Sequence, residues 1–100
     1  MVIQHRLIGI KGVFYVQGDI GFAAEMVYTK PSPGKMIIEH TDVSDALRGQ
    51  NVGYQLVQTA VEYAREHKIK IIPICPFANS VFKKNPEYAD VLNKWWLVLQ

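Results

Sequence analysis

The residues whose types and spacing best suit chemistry lie in residues 45–54, a glycine-bearing segment between a predicted strand and a predicted helix. The first amides of a helix have no carbonyl partners, and the helix dipole adds partial positive charge there, so such a segment can bind phosphate. Gly49 and Gly53 would let a ligand approach the backbone closely, and Arg48 adds a fixed cation. The alternative is an ordinary strand–helix connection in which glycine only allows the chain to turn.

A thiol and an imidazole are the other groups that could take part in chemistry. Cys75 is the only cysteine among the 100 residues, so the chain can form no internal disulfide, and we expect a reducing compartment or a functional thiol. Cys75 follows a short apolar run, and His40 ends an earlier one. Both side chains also have ordinary structural explanations, since free cysteine is commonly buried as a small apolar group.

Composition and charge exclude several classes of protein. With 49% hydrophobic and 20% charged residues, the chain resembles one globular domain, which we expect to span residues 1–100. The net charge is only +2 and the basic residues are scattered, whereas nucleic-acid-binding domains usually carry a concentrated basic stripe. No apolar run approaches the roughly 20 residues that span a bilayer, and no signal-peptide or metal-ligand pattern occurs. We therefore expect a cytoplasmic protein that binds no nucleic acid, membrane or metal.

Three stretches of turn-forming residues divide the first part of the chain into four predicted strands. The turns are Lys11-Gly12, Gln17-Gly18-Asp19 and Pro31-Ser32-Pro33-Gly34, and the strands are residues 2–10, 13–16, 22–29 and 36–40. Strands that are joined by short turns pair with their neighbours in antiparallel order. This part of the chain is therefore predicted to be an antiparallel meander.

The second part of the chain begins with a change from strand to helix periodicity. Residues 50–66 are predicted to form one long helix, because their apolar side chains recur at helical spacing: Val52, Leu56, Val57, Ala60, Val61 and Ala64. Residues 69–75 have the β-branched composition of a buried strand. A strand–helix–strand crossover places its strands in parallel, so residues 36–42 and 69–75 should lie side by side. A short helix over residues 77–84 and a final helix from Glu87 to about Trp96 complete the chain.

The glycine-bearing segment resembles a known signature. Arg48-Gly49-Gln50-Asn51-Val52-Gly53 is similar to the motif of the GCN5-related N-acetyltransferase superfamily, which has Arg or Gln, two residues, Gly, one residue, then Gly or Ala. Asn51 stands at the first glycine position, and asparagine tolerates left-handed backbone angles better than most residues. The resemblance to the small, YjdJ-like branch extends, in order, to His40-Thr41-Asp42-Val43, Pro73-Ile74-Cys75-Pro76-Phe77 and Asn85-Pro86-Glu87-Tyr88. That branch usually has His in place of Asn85.

The resemblance implies a fold and a cofactor. The fold is α/β (α+β), the minimal acyl-CoA N-acyltransferase fold, with a mixed, mostly antiparallel sheet, one long helix and one or two short C-terminal helices. The cofactor is acetyl-CoA or coenzyme A, whose pyrophosphate would lie on Arg48, Gly49, Gln50, Asn51, Val52, Gly53 and Tyr54. The pantetheine arm would enter between the two parallel strands and contact Thr41, Asp42, Val43, Asn79 and Phe82. Lys83 and Lys84 could reach the 3′-phosphate, or they form a solvated helix face.

The implied reaction is acetyl transfer to an amine of unidentified kind, on a small molecule or a protein. Cys75 could accept the acetyl group and pass it on, if it is activated by His40 or by the N-terminus of the helix that begins near Phe77. Alternatively, the amine attacks the thioester directly and Cys75 only lines the channel. His40 could instead hydrogen-bond the cofactor, and Glu25 and Glu39 are further candidates for the base.

Two other functions are compatible with the sequence. A CoA-binding or acyl-sensing module without catalysis fits the absence of an identifiable base, and an interaction domain could dock a protein or RNA through its basic residues and Trp95-Trp96. The apolar residues 93–100 would either close the core or pair with another subunit. We therefore expect a monomer or a weak homodimer.

Overall fold

A five-stranded sheet forms the centre of the computed structural model, which describes residues 1–94. The strands lie in chain order: β1 (Gln4–Ile8), β2 (Lys11–Gln17), β3 (Phe22–Ser32), β4 (Lys35–Val43) and β5 (Lys70–Pro73). The first four strands are antiparallel neighbours, and β5 pairs in parallel with β4. The antiparallel meander and the parallel crossover predicted from the sequence are both confirmed.

The helix between β4 and β5 covers one face of this sheet. α1 (Val52–His67) buries Val52, Leu56, Val57, Ala60, Val61 and Ala64, which is the stripe that the helical spacing predicts. These small and medium side chains pack with the inward residues of the sheet, among them Phe14, Met26 and Ile38. α2 (Pro76–Lys84) adds Ala78, Val81 and Phe82 to the same core. Within residues 1–94, neither helix has the length and apolarity that crossing a lipid bilayer requires.

The turn between β1 and β2 lies two residues earlier than the sequence predicted. Gly9 has a φ of +62° and forms the turn with Ile10, whereas Lys11 and Gly12 already belong to β2. Gly12 is close-packed: a Cβ there would lie 2.1 Å from Cζ of the buried Tyr28. Glycine in the sequence signals both a turn and a close approach, so its presence alone did not distinguish Gly9 from Gly12.

The chain after α2 does not form the predicted helix from Glu87 to Trp96. Residues Pro86–Val91 form a 3₁₀ helix, and Leu92 then makes a parallel bridge to Ile71 of β5. The backbone after the 3₁₀ helix therefore pairs with the outer edge of β5 and does not continue as a helix. The Asn93 amide donates to the Ile71 carbonyl at 2.9 Å. Trp95 and Trp96 lie outside the described residues.

Arg65 ties the 3₁₀ helix to the end of α1. Its guanidinium donates two hydrogen bonds of 2.8 Å to the Asp90 carboxylate and a third, of 2.7 Å, to the Glu87 carbonyl. The hydrogen bonds from Arg65 lower the pKa of Asp90. The bidentate geometry fixes the position of the 3₁₀ helix more closely than one contact would.

The close packing of Gly12 against Tyr28 gives a stability prediction. Gly12→Ala should lower the free energy of unfolding by about 1–3 kcal/mol, because the ring of Tyr28 is fully buried and has no room to move. Gly34→Ala is the matched control, since a Cβ there meets no atom within 4 Å. Urea unfolding measures both variants, and a Gly12→Ala protein as stable as Gly34→Ala would contradict this packing.

Candidate functional site

β4 and β5 separate beyond the middle of β4. Their last paired residues are Ile38 and Pro73, and one further hydrogen bond joins the Cys75 amide to the Ile38 carbonyl at 3.1 Å. Proline has no amide to continue the ladder. Among the described residues, the remainder of β4, residues 39–43, pairs only with β3. A gap therefore opens beside β4, with backbone groups of that strand along its edge.

β4 contains a bulge at the level of this gap. Tyr28 of β3 pairs with Ile38, but the preceding residue, Val27, pairs with His40. Glu39 is thus one residue extra on β4. Because side chains alternate along a strand, one extra residue exchanges the faces on which all following side chains lie.

The bulge distributes the predicted site residues of β4 over both faces of the sheet. Directly paired residues point to the same face. Thr41 pairs with the buried Met26 and therefore points toward α1, and so does Val43. His40 and Asp42 point to the opposite face, and both are exposed. Side chains of two of the four residues His40-Thr41-Asp42-Val43 thus face α1.

Cys75 lies on the α1 side of the gap. Its side chain is 4% exposed, and its thiol donates a long hydrogen bond of 3.6 Å to Oγ1 of Thr41. Cys75 is also the residue that precedes the first turn of α2, where the helix dipole favours negative charge. His40 is not its neighbour, because the bulge turns His40 to the other face. The expected activation of Cys75 by His40 is therefore not supported by the structure.

The segment between β4 and α1 carries the cationic side chain of Arg48. After a short 3₁₀ turn (Asp45–Leu47), Arg48 forms a 2.6 Å ion pair with Asp45, and the two side chains are 81% and 87% exposed. Gly49 has a φ of +84°, a conformation that favours glycine. The positive φ therefore explains why residue 49 is glycine.

Asn51 begins the helix in a left-handed conformation. Its φ is +60° and its ψ is +31°, so the prediction that asparagine would tolerate such angles at this position is confirmed. Its side chain makes no capping hydrogen bond, and the first helical hydrogen bond runs from the Gln55 amide to the Asn51 carbonyl. The amides of Val52, Gly53 and Tyr54 precede that bond and have no helical acceptor. The start of α1 thus presents adjacent backbone donors.

A cleft of about 330 Å³ joins the start of α1 to the gap beside β4. It is lined by Thr41, Val43, Leu47, Arg48, Gly49, Asn51, Val52, Gly53, Tyr54 and Phe77. Eight of these residues were predicted from the motif. The other four residues predicted to contact the cofactor are not part of the lining: Asp42, Gln50, Asn79 and Phe82, the last of which is 5% exposed in the core. Leu47 and Phe77 also line the cleft, and neither was predicted from the sequence as a site residue.

Phe77 explains why residue 53 is glycine. A Cβ at Gly53 would lie 2.8 Å from Cζ of the Phe77 ring, so the ring occupies the space that the sequence suggested for a ligand. Phe77 is 42% exposed at the start of α2. A glycine at the second residue of α1 indicated that another group lies close to the backbone, but nothing in the sequence identified that group as Phe77.

Tyr54 lines the cleft, and hydrogen bonds hold its hydroxyl group in position. Its hydroxyl donates to Oδ1 of Asn85 at 2.7 Å and accepts a longer, 3.5 Å hydrogen bond from the Tyr88 hydroxyl. The hydrogen bond with Tyr54, together with burial, raises the pKa of Tyr88 to about 12. Asn85 and Tyr88, which belong to the last motif of the sequence, therefore support the cleft from behind.

The left-handed conformation of Asn51 predicts an unusual response to substitution. Asn51→Gly should keep or raise the free energy of unfolding, whereas Asn51→Ala should lower it by about 1 kcal/mol, because a Cβ disfavours this conformation. Lys68→Gly is the control, since Lys68 has a φ of +57° at the other end of α1. Chemical denaturation tests all three. Stability unchanged in Asn51→Ala would contradict the left-handed assignment.

Comparisons with known proteins agree with this geometry. Residues 13–91 match the family model described as GCN5-related N-acetyl-transferase. A GCN5-like protein from Staphylococcus aureus is 36% identical, with a TM-score of 0.70 over 90% of this chain and 87% of its own. A ribosomal-protein-alanine N-acetyltransferase from Brucella melitensis shares the fold at 14% identity and a TM-score of 0.62, over 77% of this chain and 62% of its own.

A third structure with this fold was determined with acetyl-CoA bound. It is a GNAT family acetyltransferase from Elizabethkingia anophelis, 14% identical, with a TM-score of 0.53 over 64% of this chain and 42% of its own. No curated protein sequence matches the chain significantly. The family match covers most of the chain and includes the cleft and both strands that flank the gap. The chain therefore belongs to the GCN5-related N-acetyltransferase family.

Proposed function

We propose that this chain binds acetyl-CoA in the cleft at the start of α1 and transfers the acetyl group to an amine. One observation carries the proposal: a single cleft connects unpaired helix amides, a free strand edge and the neighbourhood of a buried thiol. Each of the three features matches a different part of acetyl-CoA. Membership of the acetyltransferase family supports the same assignment.

The start of α1 suits the diphosphate of the donor. The amides of Val52, Gly53 and Tyr54 point out of the helix end, where the dipole contributes partial positive charge. Arg48 stands beside them, and its guanidinium can bind phosphate oxygens in a bidentate manner. The ion pair with Asp45 holds Arg48 on this loop, although it also neutralises part of its charge.

The free edge of β4 suits the pantetheine arm. This arm contains two amide groups, which can pair with strand backbone as another strand would. Residues 39–43 offer such backbone on the side where β5 has ended. An arm that follows this edge from the start of α1 leads to Thr41 and, behind it, to Cys75.

In the proposed reaction, Cys75 takes the acetyl group from the donor. In this step the Cys75 thiolate attacks the acetyl carbonyl carbon, a bond forms between that carbon and Sγ, and the carbon–sulfur bond to CoA breaks. The CoA sulfur leaves and takes up a proton. Cys75 directly precedes the N-terminus of α2, and Thr41 orients its sulfur through the hydroxyl. An amine then displaces Cys75 and forms the amide.

Donor binding in this cleft predicts a rise in melting temperature. It also predicts that substitutions of Arg48 and Asp45 change the affinity for acetyl-CoA in different directions. Saturating acetyl-CoA should raise the melting temperature, because a ligand of the native state stabilises it. Arg48→Ala should weaken the affinity for acetyl-CoA by roughly 10-fold or more, since a charged hydrogen bond is lost. Asp45→Asn should keep or improve the affinity, because it removes the competing carboxylate. Titrations followed by melting measure these effects, and the absence of any shift in the wild-type protein would overturn the proposal.

The covalent route predicts an acetylated thiol. Mass spectrometry after incubation with acetyl-CoA should find one added acetyl group, located on Cys75. Cys75→Ala should lose acetyl transfer while its affinity for acetyl-CoA is unchanged. Full transfer activity in Cys75→Ala would show that the amine attacks the thioester directly. A wild-type protein that binds acetyl-CoA but acetylates no amine would instead be an acyl-binding module.

A further inference from the structure

The end of the sheet opposite the cleft gathers basic residues that are scattered along the sequence. β4 and β5 both begin there, and their register pairs Lys35 directly with Lys70. β3 ends beside them, where the Lys30 amide donates to the Ile10 carbonyl at 2.7 Å. Lys68 follows the last residue of α1 and precedes β5. This part of the molecule is here called the basic end, and it consists of Ile8, Gly9, Ile10, Lys30, Lys35, Lys68 and Lys70.

The four lysines of the basic end are not neutralised by ion pairs. None of them forms a salt bridge with another residue of the described chain. The ammonium group of Lys70 donates to the backbone carbonyl of Asp90, which makes a hydrogen bond but leaves the charge in place. Lys35 and Lys70 are like charges directly opposite each other on neighbouring strands, and such a pair is unfavourable by itself. An anion beside these two lysines would relieve their repulsion.

The acidic side chains around the basic end compensate only part of this charge. Four carboxylates belong to the elements that border it: Glu39, Glu62, Glu66 and Asp90. Glu39 is already held by Lys11 at 2.5 Å. Asp90 is held by Arg65 at 2.8 Å. The other two carboxylates, on α1, form no ion pair among residues 1–94. Unpaired positive charge is thus in excess here, and it attracts anions.

Two exposed apolar side chains accompany these lysines. Ile8 is 78% exposed and Ile10 is 59% exposed, on either side of Gly9 in the turn between β1 and β2. The backbone hydrogen bond between Ile10 and Lys30 places this turn beside the end of β3. Aliphatic side chains in water gain free energy when they enter an apolar phase. The basic end therefore combines positive charge with apolar side chains at the tip of a turn.

An anionic lipid bilayer offers a partner for both kinds of side chain. Its headgroups carry negative charge that attracts nearby lysines, and the boundary between headgroups and acyl chains accepts apolar side chains. A nucleic-acid backbone would match the lysines equally well. However, it offers Ile8 and Ile10 no apolar phase to enter, so the combination favours the bilayer.

We propose that the basic end docks on a bilayer that contains anionic phospholipids. The four lysines lie at the headgroups, and Ile8 and Ile10 enter the boundary with the acyl chains. The chain lies on the surface and does not cross it, and the cleft at the other end of the sheet stays open to solution. This docking lies outside the cleft and does not depend on the proposed acetyl transfer.

The proposal differs from the expectation that the chain has no membrane partner. That expectation followed from the scattered basic residues and from the lack of a long apolar run. Docking on a bilayer surface requires neither a continuous basic segment nor a spanning helix. The strand register brings together lysines that lie as far apart in the sequence as Lys30 and Lys70.

Co-sedimentation with lipid vesicles tests this docking. We expect the wild-type protein to sediment with vesicles of phosphatidylcholine and phosphatidylserine in equal amounts, and not with vesicles of phosphatidylcholine alone. Added salt should weaken the binding, because it screens the lysines. Lys35→Gln combined with Lys70→Gln should weaken it by about 5-fold for each lysine that is lost. Ile8→Ser combined with Ile10→Ser should weaken it by roughly 10-fold, because less apolar area enters the bilayer.

A second pair of lysines provides the matched control. Lys83→Gln combined with Lys84→Gln removes the same charge from exposed positions at the end of α2. This variant should bind the anionic vesicles as tightly as the wild-type protein does. A melting curve for each variant shows that it is folded, since all the substituted side chains are exposed.

Several results would overturn the docking. A wild-type protein that stays in solution with the anionic vesicles is the most direct of them. An equal loss of binding in the control variant would show that net charge, and not the basic end, holds the protein on the vesicles. Wild-type binding after substitution of both isoleucines would contradict their place in the bilayer. Binding to poly(U) RNA without binding to vesicles would assign the basic end to nucleic acid instead.

Discussion

The separation of β4 from β5 is the constraint on which the rest of the structure depends. β4 has a strand on each side only as far as Ile38, and Pro73 ends the parallel ladder on the other strand. Beyond that point β4 remains paired with β3, apart from the bulge at Glu39, while its other edge is left open. A rigid strand with one unpaired edge is suited to an extended ligand, because the binding groups are already in position before the ligand arrives.

The bulge at Glu39 determines which side chains of β4 lie on each face of the sheet beside this edge. Without the extra residue, His40 would face α1 and Thr41 would lie on the opposite face. With it, Thr41 contacts the Cys75 thiol on the α1 side, and His40 is exposed on the opposite face. A one-residue insertion in a strand is a small structural change, yet it determines which side chains of β4 face the cleft.

The remaining elements hold the cleft in shape around this strand. The start of α1 is fixed by the packing of Phe77 against Gly53 and by the hydrogen bonds of Tyr54 to Asn85 and Tyr88. The C-terminal 3₁₀ helix is in turn anchored through Arg65 at the far end of α1. A domain of this size buries limited apolar area. These directional contacts therefore help to fix the start of α1 and the segment that precedes it.

The sequence alone determined the features that depend on local chemistry and periodicity. The buried stripe of α1, the parallel crossover and the tolerance of Asn51 for a left-handed conformation all follow from residue type and spacing. The tertiary structure decided which face His40 occupies, which ring fills the space above Gly53 and how the chain continues after Pro86. These depend on a one-residue register shift, on a contact between distant residues and on a free strand edge, and none of them leaves a periodic signal in the sequence.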